Sequence, residues 1–283
     1  MNHIVQGDNL EALRRLADGC AGLVYMDPPF NTGHRQGRTR LRTVRDEQGD
    51  RTGFGGHRYR SEALGRLDFA DTFDDYLAFL APRLEEARRI LAADGTLFVH
   101  LDPRESHYVK VYLDGRFGRA AFMGEIVWAY DFGGRSKRRW PAKHDTLLWY
   151  VRDPEHYCFD YEAIDRIPYL APGLAGPVKA ARGKTPTDVW WQTVVATNGR
   201  ERTGYPTQKP LAILERIVRV HSRPGDLCVD PFAGSGTLGE AAGKLGRSFW
   251  LCDENPEAVA IMTARLARFE PELEHLPERP RGA

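Results

Sequence analysis

Asp27-Pro28-Pro29-Phe30 follows directly on the apolar run Leu23-Val24-Tyr25-Met26. The run reads as a buried strand. The four residues after it put a carboxylate, a rigid corner and an aromatic face at its end. Proline has no N–H and fixes φ, so two in succession cannot continue a sheet. The corner's backbone carbonyls then turn away from the ladder and are free to accept hydrogen bonds from a ligand. A carboxylate, a carbonyl and a ring together suit the grip of a planar, amino-bearing ring. The same residues also fit a proline-rich turn that ends a strand, with Asp27 as a turn residue.

A second cluster, Val229-Asp230-Pro231-Phe232-Ala233-Gly234-Ser235-Gly236-Thr237, joins a strand to a helix. In open α/β sheets, ligands bind outside the carboxyl ends of strands. Gly234 and Gly236 allow close backbone approach, since no Cβ stands in the way. The next strand ends at Asp253, where a carboxylate suits a ribose diol because it can accept from both hydroxyls. This half of the chain therefore reads as a site for a nucleoside-bearing cofactor. Gly234, Gly236 and Gly239 also match the G-x-G-x-x-G of dinucleotide sites. Against a dinucleotide stand the Asp230-Pro231-Phe232 opening and the position near the chain end, with no second mononucleotide half following. A phosphate-binding loop fits less well, because no Gly-Lys-Ser/Thr follows. A purely structural glycine turn is the plain alternative.

The elements that must position these groups follow from the pattern along the chain. His3 to Gln6 predicts a short strand, with Asn9 capping a helix over Leu10 to Leu16. Gly22 to Met26 is a strand. Residues 31–68, rich in Arg and Gly and poor in aliphatics, read as a long mobile loop. An amphipathic helix follows from about Phe73 to Leu91, then a strand from Gly95 to Leu101 and a helix through Tyr108 to Leu113. Two strands, Glu125 to Tyr130 and Thr146 to Val151, flank the basic stretch Arg135-Ser136-Lys137-Arg138-Arg139. Residues 153–202 are irregular. Helices at Leu211–His221, Thr237–Lys244 and Pro256–Phe269 then alternate with strands at Asp226–Val229 and Ser248–Cys252. The polar tail after Pro271 is expected to fray. The alternation predicts an α/β fold with a mostly parallel sheet covered on both faces.

The 283 residues suffice for one large domain or a domain with a sizeable insertion. With 42% hydrophobic and 28% charged residues, the composition is that of a soluble globular protein. No apolar run approaches the ~18 residues that span a bilayer, and the first residues lack a signal-peptide pattern. Cys20, Cys158, Cys228 and Cys252 form no C-x-x-C pair and have no histidine partners at metal spacing. They read as reduced thiols in a cytoplasmic protein without a metal site. The net charge is only +1, so any site for a polyanion must be local.

In this order, the Asp27-Pro28-Pro29-Phe30 corner and the Phe232-Ala233-Gly234-Ser235-Gly236 turn resemble the amino-group DNA methyltransferases of the β arrangement. In that family the catalytic motif precedes the cofactor motif, with a target-recognition region between. Gly7-Asp8-Asn9-Leu10-Glu11-Ala12-Leu13 is similar to its N-terminal cofactor-adenine motif. Gly95 to Asp102 looks like its post-catalytic strand, and Phe122 to Trp128 and Lys143 to Leu148 look like its paired late strands. Gly204-Tyr205-Pro206-Thr207-Gln208-Lys209-Pro210-Leu211 matches the motif leading into the cofactor half. The resemblance covers most of the chain and is nearest to adenine-specific enzymes and to modification subunits of type III restriction systems. It departs at the Arg-rich stretch 34–66 and at a short recognition region.

The resemblance implies a Rossmann-like, mostly parallel seven-stranded sheet with one antiparallel strand, helices on both faces, a circularly permuted motif order and a small inserted target-recognition region. It divides the chain into a catalytic half (1–152, with the loop 31–68), a recognition region (153–203), a cofactor half (204–270) and a flexible tail (271–283). It implies S-adenosylmethionine as cofactor and double-stranded DNA as partner, in a restriction-modification setting; relatives are often homodimers. Asp27 and the Pro28 carbonyl would hold the target amine in the corner completed by Pro29, with Phe30 stacked on a flipped base. Asp230, Phe232, Gly234, Ser235, Gly236 and Thr237 would line the cofactor. Asp253 would hold its ribose, Asp8 would approach its adenine amine, and Thr207 and Lys209 would reach its carboxylate. Lys209 is otherwise an ordinary surface lysine.

Arg135, Lys137, Arg138 and Arg139 are the expected DNA contacts. The stretch 34–66 reads equally as a phosphate-binding segment or a solvated insertion. Trp190 and Trp191 fit the core better than intrusion into DNA. His100 and His144 read as packed or hydrogen-bonded rather than catalytic. The expected target is the N6 amine of adenine. The alternatives are the N4 amine of cytosine and a catalytically silent DNA-binding subunit.

Overall fold

Leu23, Val24, Tyr25 and Met26 are all buried in the computed structural model, as a strand covered on both faces requires. The structure describes residues 1–31, 34–46, 48, 51–52, 57–71, 73–196 and 199–277. In chain order the elements are β1 (His3–Gln6), α1 (Asn9–Arg14), β2 (Ala21–Met26), β3 (His34–Arg45), β4 (Arg51–Thr52), β5 (Arg58–Asp71), α2 (Tyr76–Ile90), β6 (Leu91–Leu101), α3 (Ser106–Phe117), β7 (Phe122–Ala129), β8 (His144–Val151), α4 (Pro172–Ala175), α5 (Pro177–Arg182), β9 (Val189–Trp191), α6 (Leu211–His221), β10 (Leu227–Asp230), α7 (Thr237–Lys244), β11 (Ser248–Asp253), α8 (Pro256–Leu266) and β12 (Glu272–His275).

The larger of two units comprises Met1–Phe30 and Asp75–Ala283. Its nine-stranded sheet has the order β12-β1-β11-β10-β2-β6-β8-β7-β9. β8 runs antiparallel to both neighbours, and the remaining pairings are parallel. The expected single reversed strand is therefore present, but the sheet has nine strands rather than seven. The additions are the edge strands β9 and β12. All four residues of β12 are exposed, and it joins β1 through backbone pairing from His3↔Glu272 to Gln6↔His275. Backbone pairing leaves no mark on composition, which is why this segment read as a fraying tail. Residues 278–283, the rest of that tail, lie outside the described residues.

Side-chain alternation along the strands sends apolar residues to both faces. On one face Leu23, Tyr25, Phe98, Cys228, Phe249 and Leu251 share a cluster with Ile213, Leu214, Ile217 and Val218 of α6, Leu238 of α7 and Met262 of α8. Val24, Met26, Leu97 and Val99 alternate with these and are also buried, as are Leu80 and Leu84 of α2 and Val109 and Leu113 of α3. The irregular segment after β8 is fixed to α6: Asp160 N–H donates to the Val220 carbonyl at 2.8 Å. Asp165 accepts from Arg216 and Arg219 at 3.3 and 2.7 Å.

The second unit, Asn31–Asp74, corrects the expected long loop over 31–68. β3 and β5 pair antiparallel from His34↔Asp71 to Arg45↔Tyr59, and β4 pairs with β5. A ladder of this kind is closed by backbone groups, so a scarcity of aliphatics does not forbid it.

A smaller correction concerns the first helix. Its N-cap is Asp8, whose Oδ1 accepts the Glu11 N–H at 3.0 Å. Asn9 instead donates from Nδ2 to the Pro231 carbonyl at 2.9 Å.

Candidate active site

Parallel strands end on the same edge of a sheet. Here β1 leads into Asp8, β11 ends at Asp253, β10 at Asp230, and β2 and β6 lead into Asp27 and Asp102. The strand order sets these acids in a row: Asp8, Asp253, Asp230, Asp27, Asp102. The Asp27 corner and the glycine turn after Asp230, far apart in the chain, are thus neighbours on the edge where open α/β sheets bind ligands.

At the Asp27 corner, Pro28 is buried and Phe30 half-buried. Among the described residues nothing donates a hydrogen bond to the Pro28 carbonyl. Lys209 Nζ lies 2.7 Å from Asp27 Oδ1 and 2.6 Å from Oδ2, and 4.8 Å from the centre of the Phe30 ring. Lys209 is therefore no ordinary surface lysine; its side chain is only 11% exposed. The structure sets it on the Asp27 carboxylate, where the resemblance placed it on the cofactor. Thr207 is exposed and takes no part in this contact.

Behind Asp27 runs a buried polar chain. Tyr25 Oη and His100 Nδ1 are 2.6 Å apart, His100 Nε2 and Asp145 Oδ2 3.2 Å, and Tyr130 Oη donates to Asp145 Oδ1 at 3.0 Å. Burial, reinforced by Asp27, Asp230 and Asp145, holds the Tyr25 phenol well above its usual pKa. Tyr25 thus keeps its proton and can donate to Nδ1 wherever that nitrogen is bare, while Nε2 faces Asp145. Burial works against the Asp145 charge, but hydrogen bonding and charge from His100, then Lys209 and Tyr130, leave its pKa lowered. His100 is packed and hydrogen-bonded, as expected, yet its Nδ1 is 4.0 Å from Asp27 Oδ1. Sequence reasoning missed Tyr25, Tyr130 and Asp145 as parts of the site. The available signal was a histidine inside an otherwise apolar strand.

The glycine turn is equally constrained. Gly234 has φ +50°, and a Cβ there would lie 2.8 Å from the Tyr205 ring. Gly236 has φ +73°, with 2.8 Å to Met262. A Cβ on Gly239 would meet Leu251 at 2.6 Å, so this glycine serves helix–strand packing. The Gly234 N–H donates to Asp253 Oδ2 at 2.8 Å, and the Asn255 N–H to Oδ1 at 2.9 Å. Burial pushes Asp253 up to about 6 despite these two bonds. Burial also holds Asp230 well above the usual carboxylate range, against the Phe232 N–H bond, with Asp27 and Asp253 adding to the rise.

The hydroxyls of Ser235 and Thr237 turn toward Arg265, at 3.4 and 3.0 Å, and Thr237 also donates to the Lys209 carbonyl at 3.3 Å. Arg265 escaped the sequence reading, as did a wall beside Phe232. There the Phe79 ring lies 6.2 Å from Phe232, and Arg83 sits 4.0 Å over Phe79 while donating to Asn9 Oδ1 at 2.5 Å.

Arg135, Lys137, Arg138 and Arg139 are exposed in the loop between β7 and β8. Trp190 is buried beneath Arg216, 4.8 Å from its guanidinium, whereas Trp191 is 72% exposed.

A family profile described as DNA methylase matches residues 21–264. The chain is similar to the type II methyltransferase M.HpaI of Haemophilus parainfluenzae, 28% identical over 263 residues covering 93% of this chain and 73% of that protein. In fold it is similar to the PvuII DNA methyltransferase, described as cytosine-N4-specific, at a TM-score of 0.65 and 18% identity over 94% of this chain and 86% of that one. It is likewise similar to the M1.HpyAVI–SAM complex, with a TM-score of 0.60 and 20% identity over 94% of this chain and 99% of that one.

Proposed function

The chain belongs to the DNA methylase family, amino-group methyltransferases that draw on S-adenosylmethionine, and we propose that it acts on the N6 amine of an adenine flipped out of duplex DNA. The observation that carries this reading is the place of Asp27. It stands beside the Pro28 carbonyl and the Phe30 ring, next in the row to Asp230 and Asp253.

The residues fit that donor. Asp253 keeps lone pairs for two ribose hydroxyls beyond its bonds from Gly234 and Asn255. The backbone at Gly234 lies bare against Tyr205. Phe232 and Asp8 flank the adenine end, Asp230 lies between Asp253 and Asp27, and Ser235, Gly236 and Thr237 shape the turn. When bound, S-adenosylmethionine supplies a methyl group on a sulfonium and a neutral leaving group.

The chain's own residues supply the rest. The amine lone pair of adenine is delocalised into its ring. Asp27 accepting one N–H and the Pro28 carbonyl the other would draw the nitrogen toward tetrahedral geometry and free that pair. Phe30 offers a face to the base, and Lys209 holds the carboxylate in one orientation. Asp27 is the nearest acceptor for the proton the amine must lose. A base within a duplex cannot reach this corner, so it has to be extruded. In this reading 1–152 carries the catalytic half, 153–203 target recognition and 204–270 the cofactor half, in a cytoplasmic restriction-modification setting.

An aspartate at position 27 favours adenine by resemblance. A likeness in fold to a cytosine-N4-specific enzyme supports the second reading, the N4 amine of cytosine. Nucleoside analysis of DNA from a host expressing the chain decides between them: N6-methyladenine is expected, and N4-methylcytosine alone overturns the first reading. Asp27→Ala is expected to abolish methyl transfer while leaving cofactor affinity within a few-fold. Near-normal turnover in that variant would exclude the mechanism.

A further inference from the structure

The segment 131–143 joins β7 to β8. Because β7 runs parallel to β6 and β2, the segment leaves the sheet on the edge that carries Asp27. Its root is tied to the site. Tyr130 donates to Asp145, Asp145 bonds His100, and His100 Nδ1 lies 4.0 Å from Asp27 Oδ1. The base of the loop is closed by the Tyr130 N–H donating to the Lys143 carbonyl at 2.9 Å, and by the Lys143 ammonium donating to the carbonyls of Phe132 and Gly133. Beyond this closure Arg135, Lys137, Arg138 and Arg139 are exposed, and so is Trp140.

Trp140 is 96% exposed. An indole so placed contributes almost nothing to folding, since its apolar surface stays in water. It follows two arginines directly, in a loop of cations, and this selects a polyanionic partner with stacking surfaces. We propose that Trp140 enters the duplex beside the target and stacks in the space the flipped base leaves. The inference rests on the reading of this chain as a duplex-DNA methyltransferase. Stacking one base on one aromatic side chain is worth a factor of about 5 to 150. Unpairing and unstacking a base costs an equilibrium factor of the same order. One indole can therefore offset much of that cost, with the arginines holding the flanking phosphates.

The test uses the full chain and two duplexes carrying its mapped target site. One is fully matched, and the other has an abasic position opposite the target, so that extrusion is already cheap. Trp140→Ala is expected to lower kcat/KM about ten- to a hundredfold on the matched duplex. On the abasic duplex it should come within a few-fold of the parent chain. Trp140→Phe should restore most of the loss, and calorimetry should find cofactor affinity unchanged in both variants. Equal loss on both duplexes, or no loss on either, overturns the proposal. So does a loss accompanied by a changed oligomeric state in sedimentation, which would assign Trp140 to a protein interface. A parent chain that methylates no duplex DNA overturns the functional reading, and this inference with it.

Discussion

Lys209 grips both carboxylate oxygens of Asp27, a residue 182 positions earlier in the chain, at 2.7 and 2.6 Å. Its own carbonyl accepts from Thr237 in the glycine turn at 3.3 Å. One residue thus touches the Asp27 corner with its ammonium and the glycine turn with its backbone. Lys209→Met is expected to lower kcat by about tenfold or more, as for loss of a charge-assisted bond. Calorimetric affinity for S-adenosylmethionine should stay within a few-fold, and Lys209→Arg should recover part of the rate. The opposite split, with affinity lost and kcat kept, would put the ammonium on the cofactor.

Asp253, proposed to hold the ribose, gives a pH prediction. Burial raises Asp253 to about 6, so it takes up a proton as pH falls through that value. A protonated carboxyl accepts fewer hydrogen bonds from a diol. Cofactor affinity should therefore be full above about 6 and decline by up to tenfold per pH unit below it. Asp253→Asn should bind more weakly and lose this dependence. For the protein without ligand the sign is reversed. The folded state holds this proton more tightly than the unfolded chain, so the stability this group contributes is greatest below about 4 and is lost as pH rises through about 6. Calorimetric titrations of parent and variant between these limits check both statements.

The buried chain from Tyr25 to Tyr130 gives a stability prediction. His100→Leu strands the Tyr25 hydroxyl and one Asp145 oxygen in the interior. The expected cost is about 2–4 kcal/mol in urea denaturation. His144→Leu, at a half-buried position beside the same strand end, should cost clearly less. Equal costs would mean that His100 contributes no more than its volume.

The basic loop predicts a salt effect. Replacing Arg138 and Arg139 by alanine should weaken DNA binding uniformly across sequences. It should also flatten the dependence of log affinity on log salt by about 0.9 for each phosphate contact removed. Fluorescence anisotropy on two unrelated duplexes at several salt concentrations measures this. An unchanged slope would free the loop from any role at phosphates.

Much of the architecture was legible because the signals were local. The apolar run before Asp27, the glycines after Asp230 and the acid at Asp253 each mark the end of a parallel strand, and such ends gather on one edge whatever lies between them. The parts that escaped depend on partners distant in the chain. The β12 residues are polar and exposed, and only β1 makes them a strand. Residues 34–45 and 58–71 pair through backbone groups that composition does not report. Lys209 was legible as a site residue from its motif, but not its grip on Asp27, since the motif is silent about which neighbour an ammonium will meet. Arg265 reads as one more helical arginine until Ser235 and Thr237 fold against it.

β1 is flanked by β11 on one side and β12 on the other, the last two strands among the described residues. Asn9, just after β1, is bonded to a carbonyl 222 residues away. During translation β1 therefore waits with both edges unpaired until β11 and β12 are made, a delay on the order of ten seconds or more at roughly 5–20 residues per second. Asp253 and the glycine turn arrive within the same interval. In the proposed function, a chain that ends before β10 has Asp27 but lacks the acids and glycines that would hold the methyl donor. If Asp253 and the glycine turn hold the cofactor as proposed, proteolytic loss of β10 and β11 should silence methyl transfer even with Asp27 untouched.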